Sequence, residues 1–408
     1  MTSSTQPLPQ LAPGTRALDG VRILDLTHIG AGPLATSMLG DMGAEVIKIE
    51  PLGRGDATRA YDEVFPGADS SYFLGINRSK KSVAVDLKSE VGMHVVRQLL
   101  ATCDVVIENY RPGALRRLGL DYDTVAREKP DVVYCSISAF GPDGPYVNRP
   151  GMDIIVQGIG GIMGITGEPG RPPVKVGPPI ADFMGSYLAA YAISLALFVR
   201  ERHGIGQLLT ISLLDGQIAS LANYITGFHV TGKPDAPPGG GHPQIVPYQV
   251  FSAQDGYLIV ACLTEGFWRN MCMAMGLEHL LTDPRFETNM VRTRNRGELI
   301  PMLSAIFETK TRAQWVEILS ARDVPCGPVN NLGDAFNDPQ VRHNRMVEQI
   351  DHPRAGKISV PGVVVKMSAT PGRISAAPPL LGEHTAQVLR GLGYADEEIA
   401  RLREQGVI

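Results

Sequence analysis

Short, nearly continuous apolar runs alternate with longer stretches of helical spacing from Leu18 to about Leu214. The runs predict strands at Arg22–Leu26, Glu45–Ile49, Ser82–Asp86, Val105–Glu108, Val132–Ser138 and Gln207–Ser212. Helical stretches lie between several of them, which implies an α/β fold with a mostly parallel sheet, because parallel neighbours need a crossover. The most apolar segment, Met184–Val199, is flanked by Asp182 and Arg200. At about 1.5 Å per residue it is shorter than a ~30 Å bilayer core requires, so it predicts a buried helix rather than a membrane span.

A further helical signal runs from Asp215 to about Thr231, and "GKPDAPPGGGHP" (Gly232–Pro243) then breaks the pattern. Beyond it, "YQVFSAQDGYLIVACL" alternates as a hairpin about Gln254-Asp255-Gly256, followed by helical segments from Phe267 to about Leu319. The tail from Asp338 contains the strand-like "KISVPGVVVKMS", the helix "GEHTAQVLRGLG" and a charged final helix. By pattern alone it is either a third domain or a return to the first. No internal repeat is visible.

The chain has 408 residues, enough for two cores, with 44% hydrophobic and 20% charged residues, as in an ordinary globular protein. A net charge of −4 argues against nucleic acid as a bulk partner. The five cysteines (Cys103, Cys135, Cys262, Cys272, Cys326) are scattered and never in C-x-x-C spacing, so they predict buried thiols in a reducing compartment and no zinc site or other metal centre. Met1–Arg16 is rich in Ser, Thr, Pro and Gln and reads as a disordered lead-in, not a signal peptide.

One stretch raises a question of ligand. The strand at Val21–Leu26 leads into Gly30-Ala31-Gly32-Pro33-Leu34-Ala35, and the second strand ends on Glu50, twenty residues after Gly30. That is the spacing of the G-x-G-x-x-A dinucleotide fingerprint and its ribose acid. Thr27-His28 between strand and glycine, and Pro33 at a place that suits a first helical position, both weaken it. A strand, turn and helix follow from the pattern, but the ligand does not.

Several local strings occur in one order: "LDGVRILDLTHIGAGP", "GAEVIKIE", "GDATR", "NRSKKSVAVDLK", "ENYRPGALRRLGL", "RPGMDIIVQGIGGIMGITG", "PPIADFMGSYLAA", "GGGHPQIVPYQVF", "PCGPVN" and "PPLLGEHT". Together they resemble the class III coenzyme A transferases, the family of formyl-CoA:oxalate and carnitine CoA-transferases that also contains α-methylacyl-CoA racemase. The resemblance runs from Leu18 to the C-terminus. It implies a Rossmann-like large domain built from 18–225 and 335–408, an inserted small α+β domain at 240–330, and linkers at 226–239 and 331–334 after a lead-in at 1–17. It also implies an interlocked homodimer, a cytoplasmic enzyme with no membrane or nucleic-acid partner, and no permanently bound cofactor, coenzyme A arriving as acyl-CoA substrate.

In the family the turn at Gly30 and Ala31 belongs to a CoA and acyl site rather than a nicotinamide site. The acyl-carrying aspartate falls on Asp182, which by position alone reads as an N-cap carboxylate on an apolar helix. The CoA-binding positions fall on Val85, Lys88, Asn109, Tyr110, Arg111, Arg117, Pro150, Gly151 and Met152, with Arg111 and Arg117 as the phosphate partners. Arg116 and Lys81 read as solvated surface charges. Where formyl-CoA transferase has an arginine after the "KIE" strand this chain has Pro51, leaving Arg54 to supply that charge.

Gly239, Gly240 and Gly241 match the family's mobile glycine loop, and a plain linker is the alternative. His28 and His242 read as hydrogen-bonding side chains rather than bases. The racemases carry a histidine where this chain has Met152, and a thioether cannot take an α-proton at neutral pH. Transfer is therefore favoured over racemisation, with a noncatalytic CoA-binding protein as a third reading. The "GGGHPQIVPYQVF" string is similar to the branch that uses succinyl-CoA with short dicarboxylic acids such as glutarate or itaconate. A formyl-CoA:oxalate-type transferase is the alternative, and His242 and Tyr248 are the candidate donors to a second carboxylate.

Overall fold

The computed structural model describes residues 11–408. Residues 1–10 of the expected lead-in lie outside the described residues, while Arg16 within it is tied to Asp19 by an ion pair. In chain order come β1 (Arg22–Asp25), α1 (Ala31–Asp41), β2 (Glu45–Glu50), α2 (Ser71–Ile76), β3 (Lys80–Ala84), α3 (Glu90–Thr102), β4 (Val105–Glu108), α4 (Tyr122–Glu128), β5 (Val133–Ser138), α5 (Asp153–Ile159), α6 (Ile180–His203), β6 (Gln207–Ser212) and α7 (Leu213–Ser220). The six strands form one parallel sheet in the order β3-β2-β1-β4-β5-β6. This is a mixed α/β fold with the doubly wound strand order, which reverses direction between β1 and β4.

Burial explains why these runs become strands. Leu24 faces Ile47 on one side and Val106 on the other, and all three are fully buried, as expected where helices cover both faces. The third strand begins two residues earlier than its β-branched content suggests, because Lys80 pairs with Val46 and is itself buried. The apolar segment at Met184–Val199 is part of α6, 24 residues long and by length and composition sufficient to cross a membrane. It is not buried all round. Ala181, Gly185, Ala189, Ile193 and Ala196 are buried, and α6 packs on α1, α5 and β5, while Tyr187, Tyr191, Leu195 and Phe198 are exposed.

The chain divides into two compact units. Of the described residues, the first comprises 11–161, Val176–Asn223 and Pro339–Ile408; the second comprises Ile162–Lys175 and Tyr224–Asp338. After α8 (Ala222–Thr231), the second unit holds β7 (Tyr248–Ala253), β8 (Gly256–Ala261), α9 (Glu265–Met275), α10 (Asn289–Arg294), α11 (Arg296–Phe307), α12 (Arg312–Ser320), β9 (Cys326–Pro328) and α13 (Leu332–Asn337). Its three antiparallel strands and helices enclose Phe251, Trp268, Phe307 and Trp315.

The tail belongs to the first unit. There α14 (Pro339–His343) precedes the hairpin β10 (Val347–His352) and β11 (Gly356–Pro361), and α15 (Thr385–Gly391) and α16 (Asp396–Glu404) close the chain. Val388, Leu389, Ile399, Leu402 and Val407 enter the same core as Val83, Val85 and Leu99. The Ala84 amide donates to the Thr385 hydroxyl, and the Asp86 amide to the Val407 carbonyl. The N- and C-terminal segments therefore share one hydrophobic core.

Candidate active site

The reversal of strand order brings the loops after β1 and β4 together, the usual place for a ligand in a doubly wound sheet. Here the loops are locked by side chains. Asn109 accepts from the His28 amide at 2.9 Å and donates to the His28 carbonyl at 2.7 Å. The Tyr110 ring meets His28 edge-on at 5.1 Å. Ile29 has φ of +67°, a left-handed conformation that a β-branched residue rarely adopts, and its amide donates to Asp56 at 3.2 Å. Gly30 then caps α1, so Pro33 is the third helical residue rather than the first.

Beneath this turn lies a buried ionic cluster. Lys48 pairs with Asp56 at 3.0 Å and donates to the Thr27 carbonyl at 2.7 Å. Lys80 pairs with Asp25 at 3.2 Å and donates to Asn77 at 2.8 Å, while Thr27 and Thr36 donate to Asp25. Burial works to raise the Asp25 carboxyl, but Lys80, Lys48 and the two hydroxyls overcome it and hold it at about 2. Asp56 is likewise kept below the ordinary range against burial, chiefly by Lys48. Glu50, the would-be ribose acid of the fingerprint, is engaged by Arg59 through two hydrogen bonds and is buried, so it is not free to bind a ribose.

Asp182 lies on the other side of the same turn. It is not the N-cap of α6, since Pro179 holds that position; Asp182 sits within the first turn. Asp153 caps the helix from α5, its Oδ1 accepting from the Ala181 amide at 2.8 Å and the Asp182 amide at 3.4 Å. Gln157 fixes Asp153 by donating to Oδ2 at 2.7 Å. A β-carbon on Gly30 would overlap the Asp182 carboxylate, which is a close approach that only glycine permits, and would stand 3.2 Å from the Tyr72 hydroxyl. Ser186, one turn on, donates to the Ala31 carbonyl at 2.6 Å and so ties α6 to the start of α1.

Among the described residues no cation compensates Asp182. Burial first, and then the charge of Asp153, push its carboxyl up to about 7. Tyr72 is pushed to about 12 by burial and by the Asp182 charge, so its hydroxyl stays protonated beside that group. A half-buried carboxylate without hydrogen bonds is more basic than one in water and is a better nucleophile for it.

A cavity of about 680 Å³ brings together Val85, Lys88, Tyr110 and Arg117 of the expected CoA positions. Arg54 and Pro51 line it too, so the chain does place a cation near the substituted position. Asp86 and Gly406 complete its polar edge. Tyr110 thus touches both the cavity and His28. Of the other positions, Asn109 grips the His28 backbone, Arg111 and Pro150 are exposed, Gly151 packs on Ala139 and Phe140, and Met152 is exposed ahead of α5. Lys81 is half-buried and paired with Glu45, and Arg116 is exposed and paired with Asp121 and Asp123.

In the second unit the glycine segment is not a free loop. The Gly239 amide donates to the Gly167 carbonyl, the Val250 amide to Gly240, and the His242 amide to Tyr248, so the segment is pinned to β7 by an antiparallel bridge between Gly241 and Gln249. A β-carbon on Gly240 would come within 3.0 Å of Val250. His242 stacks on Tyr248 at 5.3 Å, and its Nδ1 accepts from the Gln244 amide at 3.1 Å. Burial and the nearby Arg296 keep this imidazole neutral, with its proton on Nε2.

Asp56, Lys48, Asp153 and Tyr72 were not legible as site residues from pattern. The "GDATR" and "GMDI" strings contained the two aspartates without giving them a role. No group of three His, Cys, Asp or Glu able to hold a metal occurs among the described residues.

Residues 18–385 match the family described as CoA-transferase family III. The human succinyl-CoA:glutarate CoA-transferase is 39% identical over 394 residues, covering 96% of this chain and 90% of that protein. The succinate–glutarate CoA-transferase of Agrobacterium fabrum is 39% identical over 383 residues, covering 92% of this chain and 95% of the relative. A crystal structure of a CAIB/BAIF family protein from Brucella suis superposes with a TM-score of 0.84 at 37% identity, covering 93% of this chain and all of that one.

Proposed function

The chain belongs to CoA-transferase family III and is an enzyme with CoA-transferase activity, and from that premise we propose that it moves CoA from succinyl-CoA to a short dicarboxylate through Asp182. The observation that carries the reading is the Asp182 carboxyl, half-buried, uncompensated and raised to about 7. A carboxylate oxygen of Asp182 attacks the thioester carbonyl, and the C–S bond breaks to give a mixed anhydride and CoA thiolate. The thiolate attacks the aspartyl carbonyl, releasing succinate and leaving an aspartyl-CoA thioester. The acceptor carboxylate repeats both steps in reverse and leaves as its CoA thioester, restoring Asp182.

The cavity at Arg54, Lys88 and Arg117 suits the phosphates of CoA, since cations at its edge meet anionic oxygens. Four of its lining residues, Val85, Lys88, Tyr110 and Arg117, are among the positions that the family resemblance assigns to CoA. The glutarate-using relatives support a dicarboxylate acceptor. A monocarboxylate would leave the group that meets the second carboxylate unpaired at about 1 to 3 kcal/mol, or roughly ten- to a hundredfold in kcat/KM. The exposed apolar face of α6, at Tyr187, Tyr191, Leu195 and Phe198, supports a homodimer as the working form.

Three measurements test this. Exchange assays with succinyl-CoA, formyl-CoA and acetyl-CoA against glutarate, itaconate, oxalate, formate and butyrate should favour succinyl-CoA with a diacid; preference for formyl-CoA with oxalate contradicts the substrate reading. Deuterium entry at the α carbon of a 2-methylacyl-CoA in heavy water would instead support a racemase, which Met152 disfavours. Light scattering should give about twice the chain mass.

A further inference from the structure

The "GDATR" segment takes no part in the chemistry just described, yet Asp56 within it reaches the turn that faces Asp182. We propose that Asp56, tied to Lys48, is a positioning residue that holds the left-handed Ile29 turn against the Asp182 carboxylate. The inference rests on the reading of Asp182 as the acyl carrier and adds how the opposite wall of that site is kept in place.

The turn opposes its own sequence. Ile29 sits at φ +67°, where a β-branched side chain crowds the backbone, so the conformation persists only if neighbours impose it. Every backbone group leading into it is held by a side chain. Asp25 accepts from the Thr27 amide, Lys48 donates to the Thr27 carbonyl, Asn109 takes both His28 groups, and Asp56 accepts from the Ile29 amide.

Asp56 is the member that acts on the strained residue itself, and it cannot swing away. Its Oδ1 also accepts from the Thr58 amide and hydroxyl at 2.9 and 2.8 Å, and Lys48 pairs with Oδ2, both side chains being 1% exposed. The Asp56 amide in turn donates to Glu50 at 2.9 Å, which anchors the segment to β2. The next residue after Ile29 is Gly30, whose backbone abuts Asp182, and then Ala31, whose carbonyl is bound by Ser186 of α6. A small rotation at Ile29 therefore moves the wall that the reacting carboxylate faces.

Misplacement on the order of 1 Å can cost about a hundredfold in rate without removing a reacting group. The test is single-turnover acylation of the full-length protein by succinyl-CoA, quenched with borohydride and read as modified Asp182 by peptide mass spectrometry. Asp56→Asn should slow adduct formation about 10- to 100-fold while shifting the half-saturating succinyl-CoA concentration less than about threefold. Adding Ile29→Gly, which adopts a positive φ without strain, should recover most of the rate. A merely structural role for Asp56 would not be rescued there.

Ile29→Pro keeps the Asp56–Lys48 pair but removes the donor N–H and forbids the positive φ, so it should slow acylation to the same extent even if Asp56→Asn does not fold. Wild-type acylation rates in a folded Asp56→Asn or in Ile29→Pro, or a slow Asp56→Asn that Ile29→Gly fails to rescue, would overturn the inference alone. Absence of any adduct on Asp182 in the wild-type protein would overturn the reading of Asp182 and this inference with it.

Discussion

Two pairs of aspartates flank the Gly30 turn, one buried and one half-buried, and they differ in company. Asp25 and Asp56 are buried with Lys80 and Lys48 against them, and both stay ionised below the ordinary carboxylate range. Asp182 and Asp153 have no cation between them, and Asp182 rises to about 7. Burial works to raise Asp25, Asp56 and Asp182 alike, so the partner decides the outcome. The compensated pair can only hold structure, because protonating or moving it would strand a buried ammonium. The uncompensated carboxylate stores unfavourable free energy that reaction with a thioester removes, which is the pattern expected of a nucleophile.

The contrast can be broken from either side. Asp182→Asn should lower CoA exchange by several orders of magnitude with the fold intact, as read by exchange assay and circular dichroism. The same variant should be more stable than the wild type at high pH. Between about pH 4 and 7 the folded chain keeps a proton on Asp182 that the unfolded chain has lost, so this group's contribution to stability falls as the pH rises through that window. Asparagine removes the penalty. Urea denaturation at pH 8 should then show a gain of about 1–3 kcal/mol that shrinks toward pH 5.

On the compensated side, Lys48→Met leaves Asp56 without its cation and should destabilise the fold by about 3–5 kcal/mol in denaturant titrations. A smaller effect is expected at Asp153. Asp153→Asn keeps an oxygen for the Ala181 amide but removes the like charge, so the pKa of Asp182 should fall, read as an acid limb of the exchange rate displaced to lower pH. The smallest change is expected at Lys81, half-exposed in its pair with Glu45, where Lys81→Ala should stay within about 0.5 kcal/mol of the wild type.

The same contrast marks what the sequence can and cannot reveal. The sheet was legible because its strands are nearly continuous apolar runs, and the family because its strings occur in one order. Lys80 was not legible as a buried ion. In "NRSKKS" it looks like its half-exposed neighbour Lys81, and the difference lies in Asp25, 55 residues away in the chain. The capping of α6 was misread for a related reason: Asp182 has the local context of an N-cap, but the oxygen that caps the helix comes from Asp153, 28 residues before Ala181. The exposed stripe of α6 was hidden because alanine and aromatic residues both count as apolar, although only the small ones meet α1 and β5. The glycines at 239–241 announce freedom, whereas the hydrogen bonds to Gly167 and β7 that restrain them depend on the second unit's own pairing.

The most direct test of the contrast is the pH dependence of Asp182 acylation in a single turnover with succinyl-CoA, followed by borohydride quenching and peptide mapping between pH 5 and 9. The account predicts one modified residue, Asp182, forming at a rate that climbs with an apparent pKa near 7. An adduct on another residue, no adduct at all, or a rate already level at pH 5 as for an ordinary solvated carboxylate would contradict it.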